Sequence, residues 1–232
     1  MILGNSEESG FTLTELLIGI VLSGIVIAGV YGFFVSQIKT YSLQEQLVEM
    51  QENARIAIDT IVRDLQNAGS DPTSSDKFGI TTAAFSASSV SESPALSLST
   101  STELYFTVDD DGSGDIDNNP DERFGFRINS NTLEAQCFPD PCTDPWEAVA
   151  DNIESITVTY TYLLSGQWSS SQVVGLPSNS TSPRYFELIK AVTIFLTAKT
   201  SQPDPNYTHP TEGDNYRRLT LSAEVAPRNL AY

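Results

Sequence analysis

The sequence predicts an α+β protein in which one long N-terminal helix packs on an antiparallel β-sheet. An uncharged apolar run covers residues 16–38, and an apolar stripe with helical spacing continues to residue 65. After residue 104 the pattern changes to the alternation of strands. A helix followed by a series of strands is typical of folds in which helices cover one face of an antiparallel sheet.

The first part of the helix is predicted to span a membrane. Residues 16–38 carry no charged side chain, and they exceed the ~20 residues that a helix needs to cross a bilayer. Glu15 stands at the start of this run. A carboxylate inside a membrane costs roughly 2.5–3.5 kcal/mol on insertion scales, so we expect Glu15 to have a partner of opposite charge.

The second part of the helix is predicted to be amphipathic. Seven apolar residues follow each other at spacings of three or four, which places them on one face of an α-helix. They are Leu43, Leu47, Met50, Ala54, Ile58, Ile61 and Leu65. We therefore predict one helix from about Thr12 to Ala68, with Gly69 as its C-cap. Residues 11–38 would be the membrane or assembly half, and residues 39–69 would pack on a head domain formed by residues 70–232.

Six strands are predicted in the head domain. Their alternating apolar side chains, clearest at residues 156–162, are typical of half-buried strands. The predicted strands are residues 104–108, 123–128, 132–136, 156–162, 188–198 and 217–225. Residues 165–183 and 200–215 are predicted loops. Residues 70–102 are rich in Ser, Thr and Ala. This composition predicts a long surface loop with room for one short strand.

Composition and charge exclude several classes of function. The 232 residues carry a net charge of −18, which opposes binding to nucleic acid, so no nucleic-acid partner is expected. His209 is the one histidine, and it lies in a polar loop. The sequence contains no nucleophile elbow and no phosphate-binding glycine loop followed by lysine. We expect a protein that is not an enzyme.

An acidic loop at residues 109–117 has the ligand spacing of a calcium site. With Gly114 as the turn glycine of an EF-hand-type loop, carboxylate, hydroxyl and carbonyl oxygens occupy the ligand positions. Pro120 stands where the closing glutamate is usual, and Glu122 follows it. The candidate ligands are Asp109, Asp111, Ser113, Asp115 through its carbonyl, Asp117 and Glu122. We expect a structural Ca²⁺ here; a solvated acidic turn is the alternative.

The two cysteines, Cys137 and Cys142, are predicted to form a disulfide. They are the only cysteines of the chain and enclose a short segment with two prolines. A head domain on the outer side of a membrane would lie in an oxidising compartment, where a disulfide is permitted. Free thiols are the alternative.

The stretch GFTLTELLIGI at residues 10–20 resembles the class III signal of type IV prepilins and type II secretion pseudopilins, G|FTLxEL. The resemblance implies the type IV pilin fold. It also implies that a membrane-embedded aspartyl peptidase removes residues 1–10 by cutting between Gly10 and Phe11, and that Phe11 is then N-methylated. Glu15 would pair with the new amine of Phe11, within one helix or, as in the family, between neighbouring subunits.

Residues 41–69 resemble the PilW-type minor pilins, and residues 217–229 are similar to the C-terminal strand of that group. This implies a minor pilin that takes part in pilus assembly initiation or in a tip complex, with other pilins and the prepilin peptidase as partners. It would be a single-pass inner-membrane protein with a periplasmic head before assembly, and would lie in the pilus at the cell surface afterwards. A GspJ-type pseudopilin of type II secretion and a calcium-dependent adhesin at a filament tip are the alternatives.

The leader departs from the family pattern in its charge. Residues 1–10 contain Glu7 and Glu8 but no Lys or Arg, although basic residues usually hold such leaders in the cytoplasm. Either translocation of the large head domain decides the orientation, or Met1 is not the true start.

Overall fold

The computed structural model describes residues 10–73, 78–81, 103–114, 122–136, 146–164, 167–171 and 189–229. Within these residues one α-helix is followed by nine β-strands. The helix α1 spans Leu13–Leu65. The strands are β1 (Ile80–Thr81), β2 (Glu103–Thr107), β3 (Arg123–Asn129), β4 (Thr132–Gln136), β5 (Trp146–Asp151), β6 (Ile153–Leu164), β7 (Gln167–Ser171), β8 (Ile189–Lys199) and β9 (Arg218–Val225). The predicted α+β class, with one long N-terminal helix and antiparallel strands, is confirmed.

The helix ends three residues earlier than predicted. After Leu65 the backbone forms tighter turns, in which the N–H groups of Asn67 and Ala68 donate to carbonyls three residues back. Gly69, the predicted C-cap, ends these turns with a φ of 71°, a conformation that glycine adopts without steric cost.

The chain divides into two compact units, Met1–Glu45 and Gln46–Tyr232. The first unit holds the apolar beginning of α1. The second holds the remainder of α1 and the strands. In the second unit the predicted stripe faces the core, since Met50, Ala54 and Ile61 are buried together with Ala57, which the stripe did not include.

The strands form two antiparallel sheets, whereas the sequence predicted one. The first sheet has the order β1-β2-β3-β4-β5 and the second has the order β7-β6-β8-β9. The division falls at Asn152, which adopts a φ of 62° between β5 and β6. A turn of this kind is set by one residue, so the apolar patterns of the two strands do not reveal it.

Three strands are additional to the six predicted ones. β1 lies in the segment that was expected to have room for one short strand. The other two, β5 and β7, were not predicted, and both are rich in small or polar residues. β7 lies within the segment that was predicted as a loop, and it pairs antiparallel with β6 through backbone hydrogen bonds. β5 pairs with β4 across an irregularity at Leu133 and Glu134. Neither strand has a clean alternation of apolar residues in its sequence. In β5 only Ala150 is buried.

One hydrophobic core joins α1 to both sheets. From the helix it receives Ile61 and Leu65, from the first sheet Phe106, and from the second sheet Tyr160 and Ile194, all fully buried. Burial of a side chain of this size stabilises a fold by roughly 1.5–3 kcal/mol. The second half of α1 therefore obtains its apolar contacts from its own chain.

Two neighbouring arginines fix residues 200–217 to the start of β9. The guanidinium of Arg218 donates to both carboxylate oxygens of Asp214, at 2.7 and 2.6 Å, and also to Glu154 of β6. Arg217 donates to Asp204 at 2.8 and 3.0 Å. The hydrogen bonds from Arg218 lower the pKa of Asp214 from 3.8 to about 2 and also lower the pKa of Glu154.

Gly125 of β3 lies beneath an aromatic ring of the neighbouring strand. A Cβ at this position would be 2.8 Å from the ring of Tyr105 and 2.6 Å from Oε1 of Gln136. Tyr105 is 2% exposed, and its burial raises the pKa of the phenol to about 12. The absence of a side chain at Gly125 leaves the space that the ring of Tyr105 occupies.

We predict that Gly125→Ala destabilises the head, because the added methyl group would displace Tyr105 or Gln136. Overpacking of this kind typically costs about 1–3 kcal/mol. Denaturant unfolding of the full chain in detergent measures the change in the free energy of unfolding. Gly24→Ala is the control, since nothing lies within 4 Å of a Cβ there. Equal unfolding free energies for wild type and Gly125→Ala would contradict the prediction.

We predict that the salt bridge of Asp214 stabilises the head above about pH 4 and is lost as the pH falls toward 2. The pKa of Asp214 is 3.8 in the unfolded chain and about 2 in the folded one, so protonation in this window favours unfolding. Asp214→Asn should be less stable than wild type at pH 7, and the difference should narrow at low pH. Unfolding free energies from pH 7 to 2 test this, with the exposed Asp59→Asn as control. A difference independent of pH would exclude this explanation.

Candidate functional site

The predicted cleavage site lies immediately before α1. Gly10, Phe11 and Thr12 are outside the helix, and Phe11 is 90% exposed. The first helical hydrogen bond runs from the N–H of Leu16 to the carbonyl of Thr12, so Thr12 is the N-cap residue. The peptide bond between Gly10 and Phe11 is therefore in non-helical backbone. Residues 1–9 of the predicted leader lie outside the described residues.

Glu15 forms a reciprocal capping box with Thr12. The N–H of Thr12 donates to Oε2 of Glu15 at 2.9 Å, and the N–H of Glu15 donates to Oγ1 of Thr12 at 3.3 Å. The hydroxyl of Thr12 also donates to the same Oε2 at 2.8 Å. The T-x-x-E spacing is a known signature of such a box. It was readable in the sequence, but the prediction for Glu15 considered only a cationic partner.

The helix that follows is apolar and exposed on all sides. An 18-residue window of α1 has a mean hydropathy of 2.4, and none of it is buried. Thirteen large apolar side chains between residues 16 and 38 are 52–67% exposed. They are Leu16, Leu17, Ile18, Ile20, Val21, Leu22, Ile25, Val26, Ile27, Val30, Phe33, Phe34 and Ile38. A continuous apolar surface of this size marks contact with a membrane or with other proteins.

Hydrogen bonds to the turn that follows α1 position the acidic loop. The N–H of Gly69 donates to the carbonyl of Thr107, and the N–H of Asp109 donates to the carbonyl of Ser70. On the other side of the loop, the N–H of Val108 donates to the carbonyl of Glu122. The loop is carried by a hairpin, since β2 and β3, which flank it, pair antiparallel up to Thr107 and Arg123.

Three of the predicted ligand residues lie together. Carboxylate oxygens of Asp109, Asp111 and Glu122 are all within 4.8 Å of one another. Asp109 and Glu122 are buried, whereas Asp111 is exposed. Ser113 is in the same loop, where its N–H donates to Asp111 at 2.7 Å. These four residues keep their predicted place at the hairpin.

Backbone N–H groups stabilise the buried Asp109. Its two carboxylate oxygens accept hydrogen bonds from Gly112 at 2.6 Å and from Gly114 at 3.2 Å. Both glycines have a positive φ, 74° and 76°, which directs these N–H groups toward the carboxylate. Gly114 is the residue predicted as the turn glycine.

Two of the other predictions concern residues that are not described. Asp115 and Asp117 of the acidic loop, and both Cys137 and Cys142, lie outside the described residues. The calcium ligation by these two aspartates and the disulfide stay predictions.

Comparison with known proteins identifies the family. The family of prepilin peptidase-dependent protein B matches residues 43–215, which is more than half of the chain. The chain belongs to the prepilin peptidase-dependent protein B family. The prokaryotic N-terminal methylation motif matches residues 5–31, which include Gly10, Phe11 and Glu15. The predicted membership in the type IV pilin and pseudopilin superfamily is confirmed.

One solved structure is also similar to this chain. The type IV-like pilin TTHA1219 from Thermus thermophilus aligns with a TM-score of 0.43 and 15% sequence identity. The alignment covers 78% of this chain and 98% of that chain. No curated protein sequence is significantly similar to this chain.

The family and the geometry together define a prepilin peptidase-dependent, type IV pilin-like protein with an apolar N-terminal helix suited to a membrane anchor. Proteins of this kind are structural rather than catalytic. In the loop before β9, Nδ1 of His209 accepts hydrogen bonds from the N–H groups of Thr211 and Glu212.

Proposed function

We propose that the chain is a minor pilin of a type IV pilus. The prepilin peptidase cuts between Gly10 and Phe11, and Phe11 is then N-methylated. Before assembly, the processed protein is held in the inner membrane by its helix, with its head in the periplasm. It then joins an initiation or tip complex by packing its N-terminal helix against the helices of other pilins.

The observation that carries this proposal is the exposed apolar surface of α1 with one acid at its beginning. The surface between residues 16 and 38 obtains no cover from the described part of the chain. Lipid covers it before assembly, and neighbouring helices cover it afterwards. Phe11 would then carry a cationic amine, and Glu15 is the acid nearest to it in the sequence that remains after residues 1–10 are removed. A pseudopilin of type II secretion has the same N-terminal requirements.

We predict that the protein isolated from its host begins with N-methylated Phe11 and that deletion of its gene abolishes surface filaments. Mass spectrometry of the N-terminal peptide identifies the first residue and its methylation, and electron microscopy of the cells shows whether filaments are present. Plasmid-borne wild type is the control and should restore filaments. A protein that retains residues 1–10 would refute the processing.

The same deletion separates the alternatives. Loss of type II secretion with intact filaments would identify a pseudopilin. Filaments that remain but no longer bind their target would identify an adhesin. Either outcome would contradict the minor pilin assignment.

For the acidic loop we propose a structural Ca²⁺ site. The support is the approach of Asp109, Asp111 and Glu122, which brings three carboxylates within 4.8 Å although two of them are buried. Carboxylate oxygens suit Ca²⁺, and a cation would offset the repulsion between them. Asp115 and Asp117 would complete the shell, and the ion would stabilise the hairpin of β2 and β3.

We predict that Ca²⁺ raises the melting temperature of the full chain in detergent and that a chelator lowers it. Asp109→Asn should abolish this shift, because it removes the charge of a buried ligand. Asp110→Asn is the matched control, since it makes the same change at an exposed position of the loop. Equal melting temperatures of the wild type in Ca²⁺ and in chelator would exclude the site.

A further inference from the structure

The second sheet has an outer face that is polar but uncharged. Along β6 and β8, buried residues of the core alternate with more exposed residues, whose side chains therefore share the face that points away from the core. The register of β6, β8 and β9 places six hydroxyl side chains around the exposed ring of Phe195 on this face. They are Thr157, Thr159, Thr193, Thr197, Thr220 and Ser222. We call these residues, together with Phe195, the hydroxyl face.

Charged side chains lie at the margins of the hydroxyl face. On one side, Lys199 and Arg218 pair with Glu154, at N–O distances of 3.8 and 2.8 Å. On the other side, Glu224 lies on the edge strand β9. The outward-facing residues that the structure describes between these margins are uncharged, although the whole chain carries a net charge of −18. The hydroxyl face is therefore a neutral area on an acidic protein.

Most hydroxyl groups of this face have hydrogen-bonding capacity to spare. Thr197 and Thr220 share one hydrogen bond, with 3.0 Å between their Oγ1 atoms. The hydroxyls of Thr157, Thr159 and Thr193 form no hydrogen bond with the residues that the structure describes. A hydroxyl can donate one hydrogen bond and accept two, whereas a carboxylate only accepts and an ammonium only donates. These three side chains can therefore both donate to a ligand and accept from it.

Two exposed aromatic rings lie on the same side of the sheet. Phe195 is 42% exposed, opposite Thr157. Trp168 of β7 is 65% exposed, and it shares a face with Ser170, two residues later, which pairs with Thr161 of β6. The positions on β6 opposite the two rings are residues 163 and 157, so the rings are about 20 Å apart along the strands. An elongated ligand could contact both rings and the hydroxyls beside Phe195.

We propose that the hydroxyl face and Trp168 bind an uncharged polysaccharide. The apolar C–H faces of its sugar rings pack on Phe195 and Trp168, and its hydroxyl groups exchange hydrogen bonds with the threonines. Charge selects this class of ligand, because a net charge of −18 repels an anionic glycan and equally repels a second copy of the chain. A cationic partner would find no complementary charge on this face. The inference goes beyond the proposed function and does not rest on it, since it concerns the head alone.

The test is affinity electrophoresis of the full chain in detergent, on native gels that contain hydroxyethylcellulose, dextran or galactomannan, all uncharged. Phe195→Ala removes the central ring, and Thr159→Val removes one hydroxyl while it keeps the shape of the side chain. Ile56→Ala is the control for the first, since Ile56 is an exposed apolar residue of α1. Thr208→Val, in the exposed loop before β9, is the control for the second. None of these changes alters the charge, so mobilities without polymer stay comparable.

We expect at least one polymer to retard the wild type. The dissociation constant, from the dependence of mobility on polymer concentration, should rise about two- to tenfold in Phe195→Ala and in Thr159→Val, the effect of losing one aromatic contact or one neutral hydrogen bond. Both controls should bind like the wild type.

Four results would each overturn the inference: no retardation by any of the three polymers, wild-type binding by Phe195→Ala or Thr159→Val, an equal loss in either control, or self-association of the wild type that Phe195→Ala abolishes. The last would identify a second copy of the chain as the occupant. Leader removal and filament formation are measured separately in the host, so failure of the proposed function and failure of this inference are distinguishable.

Discussion

The structure depends on one constraint, which is that a single helix must bury two apolar surfaces of different kinds. From Met50 to Leu65 the helix buries one stripe against the sheets of its own chain. Between residues 16 and 38 it is apolar all round and exposed. Removing apolar surface from water yields about 25 cal/mol per Å², and the described residues do not cover this half, so its stability requires cover from elsewhere. The proposed membrane insertion and the proposed packing against other helices would each meet this need.

The turn that follows the helix is hydrogen-bonded to both sheets of the head. Backbone hydrogen bonds from Gly69 and Asp109 join the helix exit to β2, and the N–H of Arg228 donates to the carbonyl of Gln66 after β9. Both sheets are thus tied to the same turn of the chain. The acidic loop lies at this junction, so an ion bound there would stabilise the attachment of the first sheet to the helix.

Much of the fold was readable in the sequence because burial imposes periodicity. The stripe at spacings of three and four marked the buried face of α1, and the alternation at residues 156–162 marked the centre of β6. The division into two sheets was not readable, because it depends on the single turn at Asn152. β7 was missed because it is joined to β6 by its backbone, which leaves no apolar pattern. At the helix start the acid was recognised, but its capping box with Thr12 was overlooked, although the T-x-x-E spacing indicates it.

Cysteine labelling along α1 tests the central claim most directly. Val26→Cys and Val48→Cys replace two exposed valines, 64% and 61%, one inside the apolar run and one beyond it. Both would be made in a chain with Cys137 and Cys142 replaced by serine and embedded in its host membrane. The account predicts that a membrane-impermeant maleimide reaches residue 48 but reaches residue 26 only after detergent is added. Equal labelling of both positions in the intact membrane would contradict it.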